Sequence, residues 1–159
     1  MDERQASVSL LSDQRLLAIA LHLEAAGIDY PYSIAKRNGM PMEVVEELVA
    51  QMVSMGLVER SGSSSVKKSD DVFKKSNEVH KHHTYFALTE LGEKTLRELK
   101  LRARAVSRGV SQKDIRVALK SGINGNHLEK LGILVRKNRG MALTPFGELV
   151  MWYSRNGGD

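Results

Sequence analysis

The sequence contains no cysteine, and only 5% of its 159 residues are aromatic. The absence of cysteine excludes disulfides and thiolate metal sites, and it is typical of proteins kept in a reducing cytosol. No apolar stretch approaches the roughly 20 residues that a membrane-spanning helix needs, and the polar N-terminus lacks a signal-peptide core. We therefore expect a cytoplasmic protein that does not enter a membrane and whose core is mainly aliphatic.

The motifs that mark common enzyme classes are also missing. The sequence has no Gly-x-Ser-x-Gly nucleophile turn, no P-loop and no dinucleotide-binding glycine fingerprint. Its glycine-rich stretch over residues 122–126 does not follow a strand in a strand-helix-strand unit. The sequence therefore predicts a protein that is not an enzyme and that needs no cofactor.

The sequence contains an internal repeat: one sequence motif occurs twice. Residues 56–60 read Gly-Leu-Val-Glu-Arg, and residues 86–93 continue with Phe-Ala-Leu-Thr-Glu-Leu-Gly-Glu. Residues 132–136 read Gly-Ile-Leu-Val-Arg, and residues 141–148 continue with Met-Ala-Leu-Thr-Pro-Phe-Gly-Glu. Each copy predicts a helix that ends at glycine, two antiparallel strands, and a threonine that caps the next helix.

This order of elements predicts a mainly α fold with small antiparallel β-wings, in the α+β class. We expect a winged helix-turn-helix over residues 8–106 and an abbreviated second winged-helix-like unit over residues 107–155. A long insertion over residues 61–84 extends the first wing. A long helix over residues 89–106 closes the first unit.

Helical periodicity predicts three helices before the first wing. The first follows a capping Ser12, the second covers residues 32–38, and the third covers residues 42–55 with Pro41 in its first turn. A short helix, a tight turn and a longer helix make the helix-turn-helix pattern.

The first unit resembles the winged-helix regulator superfamily, which includes the MarR-, ArsR- and PadR-like repressors and many small archaeal regulators. The residues that carry the resemblance are 33–39, Val45, Leu48, Met52 and 56–58. The resemblance implies that Ile34 and Ala35 pack the second helix and that the Gly-Leu-Val sequence leads into the wing. It also implies DNA binding, and a long helix after the wing that often forms a dimer interface.

The third helix, which would be the recognition helix, has an acidic exposed face. Glu43, Glu46 and Glu47 occupy its first turns, followed by Gln51. A glutamate can accept a hydrogen bond from cytosine, but three together repel phosphates, which supply most non-specific affinity. Three roles stay open for the glutamates: solvated groups at the positive end of the helix dipole, a face for a protein partner, or direct base reading. Gln51 is a candidate DNA contact.

The insertion in the first wing is either a flexible arm that contacts DNA or a tolerated insertion. Lys67 and Lys68 are its candidate DNA contacts. His80, His82 and His83 lack a fourth ligand at a familiar spacing. We therefore predict no metal site there.

The long helix over residues 89–106 carries apolar residues at the spacing of helices that pack on one another. Leu96 and Leu99 are its central members. They predict either a homodimer interface or packing within the chain.

Capping signals define the second unit. Ser111 caps a helix over residues 112–120, with Asp114 as its reciprocal partner. Asn126 is expected to cap a brief helix, and Thr144 to cap the last one.

Positive charge is concentrated in the second half of the chain. Residues 94–159 hold fourteen Lys or Arg and five Asp or Glu, whereas residues 1–66 hold five and nine. Such asymmetry indicates a polyanionic partner for the basic part. The candidate DNA contacts are Lys113, Arg116 and Lys120 on one helix face and Arg136, Lys137 and Arg139 in the second wing.

The sequence therefore predicts a DNA-binding transcriptional regulator of winged-helix type, acting as a dimer on double-stranded DNA. The alternative is a tandem winged-helix module for protein–protein interaction in a chromosome or transcription complex. No residues identify a small-molecule effector.

Overall fold

The structure, a computed structural model, describes residues 1–61 and 83–156, with the side chain of Asn156 excepted. The predictions for Lys67, Lys68, His80 and His82 lie outside the described residues, as does most of the predicted insertion.

The described residues form eight helices and four strands. In chain order they are α1 (Glu3–Leu11), α2 (Gln14–Ala26), α3 (Pro31–Asn38), α4 (Met42–Ser54), β1 (Val58–Ser61), β2 (Tyr85–Leu88), α5 (Glu90–Ser107), α6 (Gln112–Ser121), α7 (Gly125–Lys130), β3 (Leu134–Lys137), β4 (Gly140–Leu143) and α8 (Pro145–Asn156). This order confirms the predicted mainly α fold with small antiparallel wings. No helix within the described ranges is long and apolar enough to cross a bilayer.

The chain divides into two compact units. The first comprises residues 1–6 and 15–95, and the second comprises residues 7–14 and 96–159. The division falls within α5, whereas we had expected it at the end of that helix, after residue 106. The first third of α5 therefore belongs to the first unit, and the rest belongs to the second.

In the first unit, a helix-turn-helix precedes the wing. Gly39 ends α3 in the left-handed conformation, which glycine adopts without steric cost, and the chain then turns into α4. Strands β1 and β2 pair antiparallel, with Val58 opposite Leu88. A single bridge between Asp29 and Phe86 adds a third segment beside this hairpin.

The second unit repeats the plan with α6, α7, the β3–β4 wing and α8. Gly122 ends α6 in the left-handed conformation, as Gly39 ends α3. The second wing pairs Leu134 with Leu143 and Val135 with Ala142. The predicted β-ribbon is therefore confirmed.

The core of each unit follows the apolar periodicity of its helices. In the first unit, α4 buries Val45, Leu48, Val49 and Met52. In the second unit, α6 buries Ile115 and Ala118, and α7, the second helix of that unit's helix-turn-helix, buries Leu128.

The two units form the same hydrogen bonds where each wing meets the following helix. The backbone N–H of Thr89 donates to the Leu57 carbonyl at 3.0 Å. The N–H of Thr144 donates to the Ile133 carbonyl, also at 3.0 Å. The repeated motif therefore forms the same backbone junction in both units.

The helix that follows each junction starts in the same way. The Thr89 hydroxyl accepts from the Gly92 N–H at 3.0 Å, and the Thr144 hydroxyl accepts from the Gly147 N–H at 2.9 Å. Both predicted threonine caps are thus confirmed. A Cβ on either glycine would clash with the backbone carbonyl that begins the wing, so the close approach of helix and strand requires glycine at both places.

Helix α1 is a feature that we did not predict. Ala6 and Leu10 are buried on one face of it. The Gln5 N–H donates to the Asp2 carboxylate at 2.8 Å, and the Asp2 N–H donates to the Gln5 side chain at 3.1 Å. The Asp-x-x-Gln spacing is the sequence signal of this reciprocal cap.

Two predicted helix starts and the predicted place of Pro41 need correction. Helix α2 begins at Gln14, and the Ser12 hydroxyl donates back to the end of α1. Helix α4 begins at Met42, as predicted, but Pro41 precedes it in an extended conformation and is not part of its first turn. Asn124, with φ of 62°, holds the position before α7, so Asn126 lies inside that helix. These are shifts of one or two residues, where local sequence signals compete.

Candidate nucleic-acid interface

Helix α6 presents three of the predicted cationic contacts to solvent. A capping box fixes its start: the Asp114 N–H donates to the Ser111 hydroxyl at 3.1 Å, and the Ser111 N–H donates to the Asp114 carboxylate at 3.3 Å. With Ile115 and Ala118 buried, the opposite side of the helix is exposed. We call its exposed Lys113, Arg116 and Lys120 the α6 cations.

The second wing ends in a tight turn at Asn138 and Arg139. Asn138 has a φ of 40°, in the left-handed region that asparagine tolerates. Lys137 and Arg139 are both exposed, and we call them the wing-tip cations. The turn holds both side chains within three residues of chain at the end of the ribbon.

Arg136 differs from the other predicted wing contacts because it is engaged within the unit. Its Nη2 donates to the Asn126 side chain, and its Nε lies 3.4 Å from the Glu129 carboxylate. Both partners belong to α7, so Arg136 ties the wing to that helix. Its charge is partly compensated by Glu129, and its role as a free phosphate contact is reduced accordingly.

Helix α7 occupies the position of a recognition helix and presents polar side chains that we did not single out. Asn126, His127 and Lys130 are exposed on it. Amide, imidazole and ammonium groups all donate hydrogen bonds. We had treated Asn126 as a cap only, and the helix was too short to draw attention to its other residues.

The acidic side chains of the second unit are largely committed to internal contacts. Asp114 belongs to the capping box, Glu129 contacts Arg136, and Glu148 accepts a hydrogen bond from Gln14. By contrast, none of the α6 or wing-tip cations forms an ion pair within the described parts of the chain. These five cations are therefore available to an external anion.

The first unit places a different surface at the corresponding position. Glu43, Glu46, Glu47 and Gln51 are all exposed on α4, as expected from the sequence. Helix α4 carries no lysine or arginine. Its exposed face is acidic and does not suit phosphate contact.

Leu96 and Leu99, for which the sequence predicts either a homodimer interface or packing within the chain, are both 0% exposed in the single chain. Their spacing marks a core face of α5, because burial in the chain and burial in a dimer require the same periodicity. Their side chains are not available to a second copy. The exposed large apolar side chain of this helix is Leu101.

A polar cluster near the start of α3 escaped the sequence analysis. The Asp29 carboxylate lies 2.7 Å from His22 Nε2 and accepts from the Ser33 hydroxyl at 2.9 Å. Asn38 Nδ2 lies 3.3 Å from the other ring nitrogen of His22. Because Asp29 is also the residue bridged to Phe86, the cluster anchors α3 beside the first wing. Within the described residues, no group of His, Asp and Glu is arranged to hold a metal ion.

The chain thus consists of two winged-helix-like units, of which the second carries the α6 and wing-tip cations. It belongs to DUF2250, a family described as an uncharacterized protein conserved in archaea, whose model matches residues 7–99. The match ends within α5, so the α6 and wing-tip cations lie beyond it. Comparisons with curated proteins and with solved structures gave no match.

Proposed function

We propose that the protein binds double-stranded DNA through its second unit and acts as a transcriptional regulator of winged-helix type. The observation that carries this proposal is the set of α6 and wing-tip cations, which are exposed and unpaired while the neighbouring carboxylates are engaged. The resemblance to the MarR-, ArsR- and PadR-like regulators gives further support.

In this proposal the phosphate backbone supplies most of the affinity. Lysine and arginine side chains that neutralise phosphates release condensed counterions, so binding weakens steeply as salt rises. Asn126, His127 and Lys130 are exposed on α7, and in this proposal they are the side chains that reach the bases. At 1.5 Å per residue the six residues of α7 span roughly 9 Å, which limits base reading to a few positions.

The α6 cations provide the direct test. We expect the triple variant Lys113→Glu, Arg116→Glu and Lys120→Glu to lose at least about tenfold in affinity for duplex DNA, because each removed phosphate contact weakens binding at all sequences alike. The slope of log affinity against log salt should fall by about 3. Fluorescence anisotropy with two duplexes of unrelated sequence measures both quantities.

A control reverses two charges on α3, the helix of the first unit that corresponds to α6. Lys36 and Arg37 are exposed on α3, and their replacement by glutamate should leave most of the affinity in place. Because the test variant reverses three charges and the control two, losses in that proportion would mean that net charge alone drives binding. The absence of any binding by the unaltered protein at low salt would end the proposal.

Dimerisation remains part of the proposal in a revised form. With Leu96 and Leu99 buried, a dimer formed through α5 would use its exposed residues, Leu101 among them. Sedimentation velocity with the Leu101→Glu variant tests this: a dimer that becomes a monomer supports the α5 interface, and an unchanged dimer excludes Leu101 from it.

A further inference from the structure

The first unit contains a groove of about 480 Å³ between α4 and the first wing. Helix α4 forms one wall, the wing strands form the other, and the start of α3 closes one end. The residues that matter most in its lining are Tyr32, Met42, Glu46, Val53, Arg60 and Phe86.

The groove exposes large apolar side chains. Tyr32, Met42 and Val53 are 53%, 43% and 40% exposed. Met42, Glu46 and Val53 are spaced i, i+4 and i+11, so they lie along one face of α4. A contiguous apolar strip beside polar residues on a protein surface marks a binding surface.

The wall opposite α4 is held by aromatic contacts. The ring of Tyr30 stacks on His83 with centroids 4.3 Å apart and meets Tyr85 edge-on at 5.3 Å. Arg60 and Phe86 face each other across the β1–β2 ladder. The groove is therefore built on a packed scaffold, which lowers the ordering cost of binding.

The charge around the groove identifies the chemistry of its occupant. Glu46 lines the groove, and Glu43 and Glu47 are exposed on the same helix. Arg60 is the cationic residue of the lining. The lining itself pairs one carboxylate with one guanidinium, and the two further glutamates of α4 make the described surface around the groove negative. Next to apolar side chains, that negative surface opposes a nucleic acid and favours a segment that is both cationic and apolar.

We propose that the α4–wing groove binds a short basic segment of a partner protein, with the apolar side chains of that segment packed along Tyr32, Met42 and Val53 and a lysine or arginine beside Glu46. An amphipathic helix in a hydrophobic groove presents such side chains at i and i+4. This site is separate from the proposed DNA contacts of the second unit, and either proposal can fail alone.

The test uses the full chain and three labelled peptides. The first repeats Lys-Leu-Leu-Lys; in the second, glutamine replaces each lysine, and in the third, serine replaces each leucine. Fluorescence anisotropy should detect binding of the first peptide and at least tenfold weaker binding of the other two, because the groove requires both charge and apolar area. Equal binding of all three would overturn the proposal.

Variants locate the binding on the protein. We expect Glu46→Lys to weaken the first peptide about tenfold, and Val53→Asp to weaken it about a hundredfold because it buries an unpaired charge. Glu59 is exposed on β1 and points away from Arg60, its neighbour on the strand, so Glu59→Lys is a control with the same change of charge. Circular dichroism verifies that each variant is folded.

Three results would point to a different ligand for the groove or to no specific ligand. An equal loss in Glu59→Lys would reduce the effect to general electrostatics. Loss of duplex DNA affinity in Val53→Asp would make the groove a nucleic-acid contact. Self-association of the unaltered protein that disappears in Val53→Asp would make its occupant a second copy of the chain. Each of these would overturn the assignment to a basic partner segment.

Discussion

The two units use one backbone plan and present opposite surfaces on it. In the first, α4 has 13 residues, three exposed glutamates and no cation. In the second, α7 has 6 residues and exposes Asn126, His127 and Lys130. The fold does not decide what a winged helix binds; the exposed side chains of its second helix and wing do.

What the units keep in common lies where the backbone has no freedom. The threonine that follows each wing and the glycine three residues later recur because a hydroxyl must cap the helix and a Cβ would meet a carbonyl. What differs between the units lies on exposed faces, where the fold tolerates nearly any polar residue. Repeated sequence therefore indicates scaffold, and divergent sequence indicates where to look for function.

We expect the largest effect from substitutions that disrupt the wing–helix junction shared by the two units. Gly92→Ala and Gly147→Ala should each lower the free energy of unfolding by about 2–3 kcal/mol, because the added methyl group displaces the backbone carbonyl of Leu57 or Ile133. Urea denaturation followed by circular dichroism measures the change. Similar losses in both variants would show that the two junctions are equivalent in energy as well as in geometry.

Gly140 supplies the matched control for the glycine variants. It begins β4, and nothing lies within 4 Å of a Cβ built on it. Gly140→Ala should therefore change stability only slightly. A loss as large as that of Gly147→Ala would indicate that alanine is unfavourable for another reason, and the close-approach explanation would be wrong.

The sequence was sufficient to predict the scaffold because its signals are local. Glycine at helix ends, threonine caps and apolar periodicity act within four or five residues, and they located both wings and the helix-turn-helix. Leu96 and Leu99 show the limit of this approach. Their periodicity required a buried face but did not indicate whether the same chain or a second copy buries it.

The candidate site was less predictable because its chemistry depends on contacts between distant residues. Arg136 was expected to be a free cation, but Asn126 and Glu129 on α7 engage it. The α4–wing groove brings Met42 near Phe86, more than 40 positions apart in the sequence. Charge counts located the basic half of the chain, whereas the pairing of individual charges required the structure.

A second, smaller effect tests whether surface chemistry alone separates the units. Replacing Glu43, Glu46 and Glu47 by lysine gives α4 a cationic face like that of the second unit. We expect roughly a tenfold gain in affinity for duplex DNA at low salt, from added phosphate contacts that salt then screens. Fluorescence anisotropy at two salt concentrations measures the gain.

Replacing the same three residues by glutamine is the control, since it removes repulsion without adding a phosphate contact. Its gain should be clearly smaller. If the lysine variant is folded and binds DNA no better than the unaltered protein, then the surface charge of α4 is not what separates the two units. The difference in length between α4 and α7 would then be the next explanation to test.

The smallest expected effect concerns Arg136, the cation of the second wing that forms an ion pair with Glu129. Glu129→Gln should raise affinity for duplex DNA two- to threefold, because Arg136 loses an ion pair whose exposed geometry is worth less than about 1 kcal/mol. Glu98→Gln removes the same charge from an exposed position on α5 and controls for net charge. An equal gain in both variants would mean that Arg136 does not contact the DNA, and the cationic site would then consist of the α6 and wing-tip cations alone.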